Sequence, residues 1–196
     1  MDRHEKALKL LREGTVIPAI PLALNEQRKL DEDYQRRMVR YYMEAGSGGV
    51  AAAVHSTQFE IRDPEHNLFR PVLEVVIDEM QRFEASTGKT LVRIAGVCGA
   101  TQQACQEAQL TKELGYDAVL LSPGGLNDWT EEQLLERTRA VAQVMPVIGF
   151  YLQEAVGGRK LSKDYWRQLA DIPNVVAVFD GQVNDFAFLL KSFNHC

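Results

Sequence analysis

What most restricts the fold of this chain is a rhythm. Six short apolar runs, Val16–Leu24, Gly49–Val54, Leu91–Val97, Ala118–Ser122, Pro146–Leu152 and Val175–Phe179, are separated by stretches with helical spacing. The runs are apolar nearly throughout instead of alternating, the pattern of strands covered on both faces. Between the first two, Asp31 precedes a predicted helix with Tyr34, Met38, Tyr41, Tyr42 and Ala45 on one face, ended by Gly46. Val72, Val76, Met80 and Phe83 align on the next, closed by Gly88. Thr101 is the expected N-cap of a third, which Gly115 stops. Thr130 and Gln133 form a capping box for a fourth reaching Gln143, and a fifth lies around Asp164–Ala170. Asp185–Phe193 is the candidate for a last short helix.

Strands alternating with helices at this spacing imply parallel pairing through right-handed crossovers. A doubly wound sheet and a barrel both satisfy that rule. Dinucleotide binding would need a Gly-x-Gly-x-x-Gly turn after the first strand, where Asn25-Glu26-Gln27-Arg28 stands instead. A chain of 196 residues is long enough for a single domain, 1–196, with a substantial core. The net charge of −5 disfavours general nucleic-acid binding, which wants a basic surface. The N-terminus, Met1-Asp2-Arg3-His4-Glu5-Lys6, is charged instead of forming an apolar leader, and no apolar run approaches the ~18 residues of a membrane span. Three cysteines, Cys98, Cys105 and Cys196, are odd in number and lack metal spacing, so a soluble, reducing, cytoplasmic setting is expected.

Seven segments, taken in order, resemble one family. They are Thr15–Pro21, Leu30–Tyr34, Gly49–Val54 leading into His55-Ser56-Thr57-Gln58, Ile94–Val97, Gly115–Pro123, Pro146–Tyr151 ending in Gly157-Gly158, and Ile172–Val178. The sequence is similar, over residues 15–178, to the dihydrodipicolinate synthase and N-acetylneuraminate lyase family, class I aldolases and lyases built as TIM barrels. The resemblance implies an α/β fold of the (β/α) barrel type. It matches Ser56 and Thr57 to the hydroxyl pair of the family's Gly-Thr-Thr-Gly-Glu motif, which holds a keto-acid carboxylate. His55 and Gln58 stand where that motif has glycines. Tyr151 would be the relay tyrosine, and Gly158, in Gly157-Gly158-Arg159, a candidate anion-binding turn. Gly124-Gly125-Leu126 leaves vacant a place where the family often has a further tyrosine. The implied ligand is a small 2-oxo acid, with no cofactor, metal, nucleic acid or membrane partner, and with room for a homo-oligomer.

Two departures matter. The family's strand six carries the lysine that forms a Schiff base with the substrate ketone, and the matching position is Phe179. A phenyl ring cannot attack a carbonyl. Of the other lysines, Lys160, in the loop after the fifth run, lies closest. A full barrel also takes about 250 residues and eight units. Six units are recognised here, and the tail 179–196 is unmatched, so a truncated barrel with an altered C-terminus is expected. The expected function is therefore a keto-acid lyase/aldolase scaffold, inactive in this form. The alternative is an active class I lyase/aldolase on a pyruvate-like 2-oxo acid with a relocated lysine. The plainer readings are a hydrogen-bonded loop histidine for His55, a small buried residue for Cys98, and solvated helix-start acids for Glu131 and Glu132.

Overall fold

The computed structural model of the chain describes residues 1–152, 154 and 158–180, Asp180 by its backbone alone. The candidate helix at Asp185–Phe193, Lys191, Cys196 and Gly157 lie outside the described residues. The chain divides into two compact units, Met1–Gly96 with Glu113–Asp117, and Val97–Lys112 with Ala118 onward.

The first unit begins with α1 (Arg3–Glu13), opened by a reciprocal capping box between Asp2 and Glu5. Next come α2 (Glu32–Glu44), β1 (Gly49–Ala52) and two 3₁₀ turns, His55–Thr57 and Phe59–Arg62. Then α3 (Phe69–Thr87) leads to β2 (Val92–Val97), of which the residues to Gly96 belong here. β1 and β2 pair in parallel, Val50 opposite Arg93 and Ala51 opposite Ile94. The apolar run Val16–Leu24 forms no regular strand. It reduces to a parallel bridge between Ala19 and Ala51, with Ile20 N–H donating to the Ala51 carbonyl at 3.0 Å and Ala51 N–H to Pro18 at 2.9 Å. Pro18 and Pro21 have no N–H to give to a ladder, which interrupts the pairing; on the near side of Pro18 only Gly48 N–H reaches back, to the Val16 carbonyl at 3.0 Å.

The helices follow their sequence signals at the ends more closely than on their faces. Asp31 caps α2 by accepting from Tyr34 N–H at 2.9 Å. The face that α2 buries is Gln35, Val39 and Met43, whereas Tyr34 and Tyr41 stay 55% and 66% exposed. Gln35 can take a core place because both ends of its amide are used, accepting from Ala23 N–H at 2.9 Å and donating to the Pro21 carbonyl at 3.2 Å. On α3 the expected stripe holds: Val72, Val76 and Met80 are fully buried, each contributing about 1.5–3 kcal/mol. Gly88 ends α3 in the left-handed conformation at φ 69°.

The same unit holds a buried charge cluster. Asp117, wholly buried, accepts from the Arg3 guanidinium, from Arg93 N–H at 3.0 Å, and faces His4 Nδ1 at 3.0 Å. Arg93, the one charge in an otherwise apolar run, pairs with Glu84 and donates to the Gly115 carbonyl at 3.1 Å.

The second unit contains α4 (Thr101–Leu114, its residues to Lys112), β3 (Ala118–Leu121), α5 (Glu131–Ala142), β4 (Val147–Tyr151), α6 (Lys163–Ala170) and β5 (Val175–Asp180). Thr101 is the first residue of α4 and not its cap; Ala104 N–H bonds to the Ala100 carbonyl. Thr130 and Gln133 do form the capping box of α5, and Ser162 caps α6. β3 pairs with β4 and β4 with β5, all parallel. Leu134, Leu135, Ile148 and Leu169 are among the buried residues. No helix among the described residues is long and apolar enough to cross a membrane.

Candidate functional site

In parallel β/α folds, ligands bind beyond the carboxyl ends of the strands. The residues singled out in the sequence fall there, in each unit separately.

At the end of β1 the chain turns through Ala53, at φ 57°, into the first 3₁₀ turn. Thr57 N–H closes that turn on the Val54 carbonyl at 2.9 Å, and Gln58 N–H bonds to His55 at 3.0 Å. Gln58 sits at φ 75°, so the backbone there has the left-handed geometry that favours glycine although the side chain is glutamine. Ser56 is exposed and presents its hydroxyl. Thr57 is fully buried, and its hydroxyl donates to the Ile20 carbonyl at 2.7 Å. Its single proton is committed, so Thr57 ties the loop to the bridge segment while Ser56 carries the available hydroxyl. His55 is exposed, its ring 5.7 Å from Phe59.

Arg62 gave no signal in a polar stretch, yet it organises this end of the unit. Its Nη2 donates to the carbonyls of Gly96 at 2.9 Å and Ala53 at 3.3 Å. The guanidinium carbon lies 4.4 Å from the Phe69 ring centroid and 5.8 Å from that of Phe59.

In the second unit, β4 and β5 align Phe150 with Phe179 and Tyr151 with Asp180. The Phe150 and Phe179 rings pack 5.4 Å apart, and Phe179 is 52% exposed. Successive strand residues point to opposite faces. Tyr151 accordingly lies on the other face from this pair, nearly buried, with its ring 5.8 Å from Trp166 of α6. The ring that touches the Phe179 position belongs to Phe150, not to Tyr151. Trp166 in turn meets Tyr165, whose phenol burial pushes up to about 12. Gly158 and Arg159 border a hollow of about 10 Å³, room for one water, with Pro123, Leu126, Leu134 and Leu152. Arg159 donates to the Asn127 carbonyl at 3.0 Å.

Arg137, on α5, is 2% exposed; it donates to the carbonyls of Gly99 at 2.8 Å and Ser122 at 3.0 Å, just past β2 and β3. Burial lowers its pKa to about 10, against the pull of Cys98, Tyr165 and Glu107. Its place between Leu134 and Val141 on the apolar helical face was the signal that could have found it. Cys98, expected to be buried, is half-buried, its N–H bonded to Glu107 at 3.2 Å. Among the described residues no group of three His, Cys, Asp or Glu side chains is placed to hold a metal ion.

Comparison with known proteins gives a consistent result. The model of the dihydrodipicolinate synthetase family matches residues 12–191. The chain is 27% identical over 157 residues to a 4-hydroxy-tetrahydrodipicolinate synthase of Oleidesulfovibrio alaskensis, covering 79% of this chain and 51% of that protein. It is 26% identical over 167 residues to an N-acetylneuraminate lyase of Citrobacter koseri, covering 83% and 53%. Among solved structures, the dihydrodipicolinate synthase of Acinetobacter baumannii complexed with pyruvate superposes with a TM-score of 0.78 at 25% identity, over 92% of this chain and 60% of that one. The chain thus spans about half the length of the curated relatives it matches. The architecture is α/β of the TIM-barrel type, with five strands among the described residues.

Proposed function

Since this chain belongs to the dihydrodipicolinate synthetase family and carries its aldolase scaffold, we propose that it binds a small 2-oxo acid without forming a Schiff base to it. The observation that carries this reading is Phe179: at the strand position matching the family's lysine, a phenyl packs against Phe150. An imine needs a primary amine, and no lysine lies in a strand among the described residues. The exposed Ser56 hydroxyl supplies the donor for the carboxylate, and Thr57 holds the loop through Ile20. Gly158, beside Arg159, borders a hollow with room for one water only, too small for the oxo acid itself. Tyr151, packed on Trp166, has no proton to relay once the imine is absent.

The test uses pyruvate. Ligand-observed NMR on the whole chain should show millimolar-class binding that Ser56→Ala weakens, and borohydride treatment should leave the intact mass unchanged. A trapped adduct on any lysine, Lys160 first among them, would instead establish the active reading. No binding by a folded chain removes the proposal.

A further inference from the structure

Resting on that reading of the Ser56 loop, we infer that Arg62 is the positioning residue of the loop, holding its left-handed entry at Ala53 in place. Ala53 leaves β1 at φ 57°, a conformation that an alanine holds only when its surroundings over-determine it. The surroundings are visible on both sides. Gly96 of β2 approaches so closely that a Cβ there would collide with the Ala53 carbonyl. The Ala53 carbonyl and the Gly96 carbonyl then converge on one guanidinium nitrogen, at 3.3 and 2.9 Å.

The guanidinium itself is fixed from two elements, by Phe59 of the second 3₁₀ turn and by Phe69 at the start of α3. A planar cation laid over a ring costs little further ordering when it meets its acceptors. The turns that follow depend on the same entry angle: Thr57 N–H reaches back to Val54, and Gln58 N–H to His55. Arg62 therefore acts on a ligand through the loop and not by touching it. The chemical class it serves is a carboxylate seated on the Ser56 hydroxyl.

Two readouts separate this inference from the reading beneath it. The first needs no ligand: amide hydrogen exchange at Thr57 and Gln58 in Arg62→Gln and Arg62→Lys, with Val76 and Met80 of α3 as the folding reference. Arg62→Gln should raise exchange at the two loop amides about ten-fold while the α3 amides stay as they are. Lysine keeps a charged donor but not the planar face laid over the two rings, and should restore part of the protection. The second readout is pyruvate binding, which Arg62→Gln should weaken about ten-fold and Arg62→Lys much less. Loop amides unchanged in Arg62→Gln, or a lysine variant as open as the glutamine one, overturn the role of Arg62. Absence of pyruvate binding by the unaltered chain counts against the oxo-acid reading alone, and the exchange result then decides on Arg62 by itself.

Discussion

Placing an amine at position 179, where a phenylalanine stands, is the sharpest perturbation available. Phe179 is 52% exposed and its ring lies 5.4 Å from that of Phe150, so Phe179→Lys gives up about half of a buried phenyl. That is a cost of about 1 kcal/mol, and a lysine over the Phe150 ring returns part of it through a cation–π contact. The variant should therefore fold. Its chemistry is limited by protonation, because an amine on a half-exposed position is not desolvated and keeps an ordinary pKa near ~10.4. Roughly one amine in a thousand is free at pH 7.4 and roughly one in ten at pH 9.4. Trapping of a pyruvate imine with cyanoborohydride, followed by intact mass and peptide mapping, should rise about ten-fold per pH unit over that range and map to position 179. The unaltered chain under the same conditions should give none. A folded Phe179→Lys protein that traps nothing even at the upper pH refutes the idea that this end of β5 faces an oxo acid. An adduct on the unaltered chain refutes the loss of chemistry.

Three further outcomes follow from the packing. Asp117→Asn keeps the shape and its amide oxygen can still accept from Arg93 N–H, but that turns its NH2 toward the Arg3 guanidinium and strips the charge that Arg3 and His4 face. With Arg3 one-third exposed, the loss should be about 2–4 kcal/mol, a drop of roughly 1–2 M in the urea midpoint, and a drop below ~0.5 M would show the cluster is not a structural keystone. Gly96→Ala drives a methyl into the Ala53 carbonyl, which is backbone and cannot swing away, so stability should fall by about 1–3 kcal/mol in thermal melts; an unchanged melt means the strands can part freely. Tyr165 is held protonated by burial up to about 12, against an ordinary tyrosine's 10, so the unfolded chain loses that proton first. Its stabilising effect is complete below about pH 10 and vanishes as pH rises through about 12, so Tyr165→Phe should lose less stability than the unaltered chain between about pH 9 and 11; equal losses in urea melts would contradict the assignment.

The order of strands and helices was legible because both of its signals are local: caps such as Asp31 and Thr130, and runs too uniformly apolar to face water. Phe179 could be singled out for the same reason, being a single residue in an ordered string of motifs. What sequence could not decide was facing. On α2 two stripes share helical spacing, and the one with three tyrosines and a methionine looks the more apolar. The stripe that goes inside contains a glutamine, made acceptable by Ala23 and Pro21, which no helical pattern reveals. On β4 the neighbours Phe150 and Tyr151 necessarily point opposite ways, and only the position of Trp166 shows which face the tyrosine takes. Arg62 was hidden more deeply, since its acceptors include main-chain carbonyls, one just past β1 and one in β2.

The Asp117 cluster also sets a clock on biosynthesis. Arg3 and His4 find their partner 114 and 113 residues further along the chain. At ribosomal rates of about 5–20 residues per second, the first helix waits roughly ten seconds for the aspartate that anchors it. Through that interval the half-apolar segment with Leu8, Leu10 and Leu11 is available to chaperones or to neighbouring nascent chains. Slowing translation between the first helix and Asp117 would lengthen that exposure without altering one residue of the finished protein.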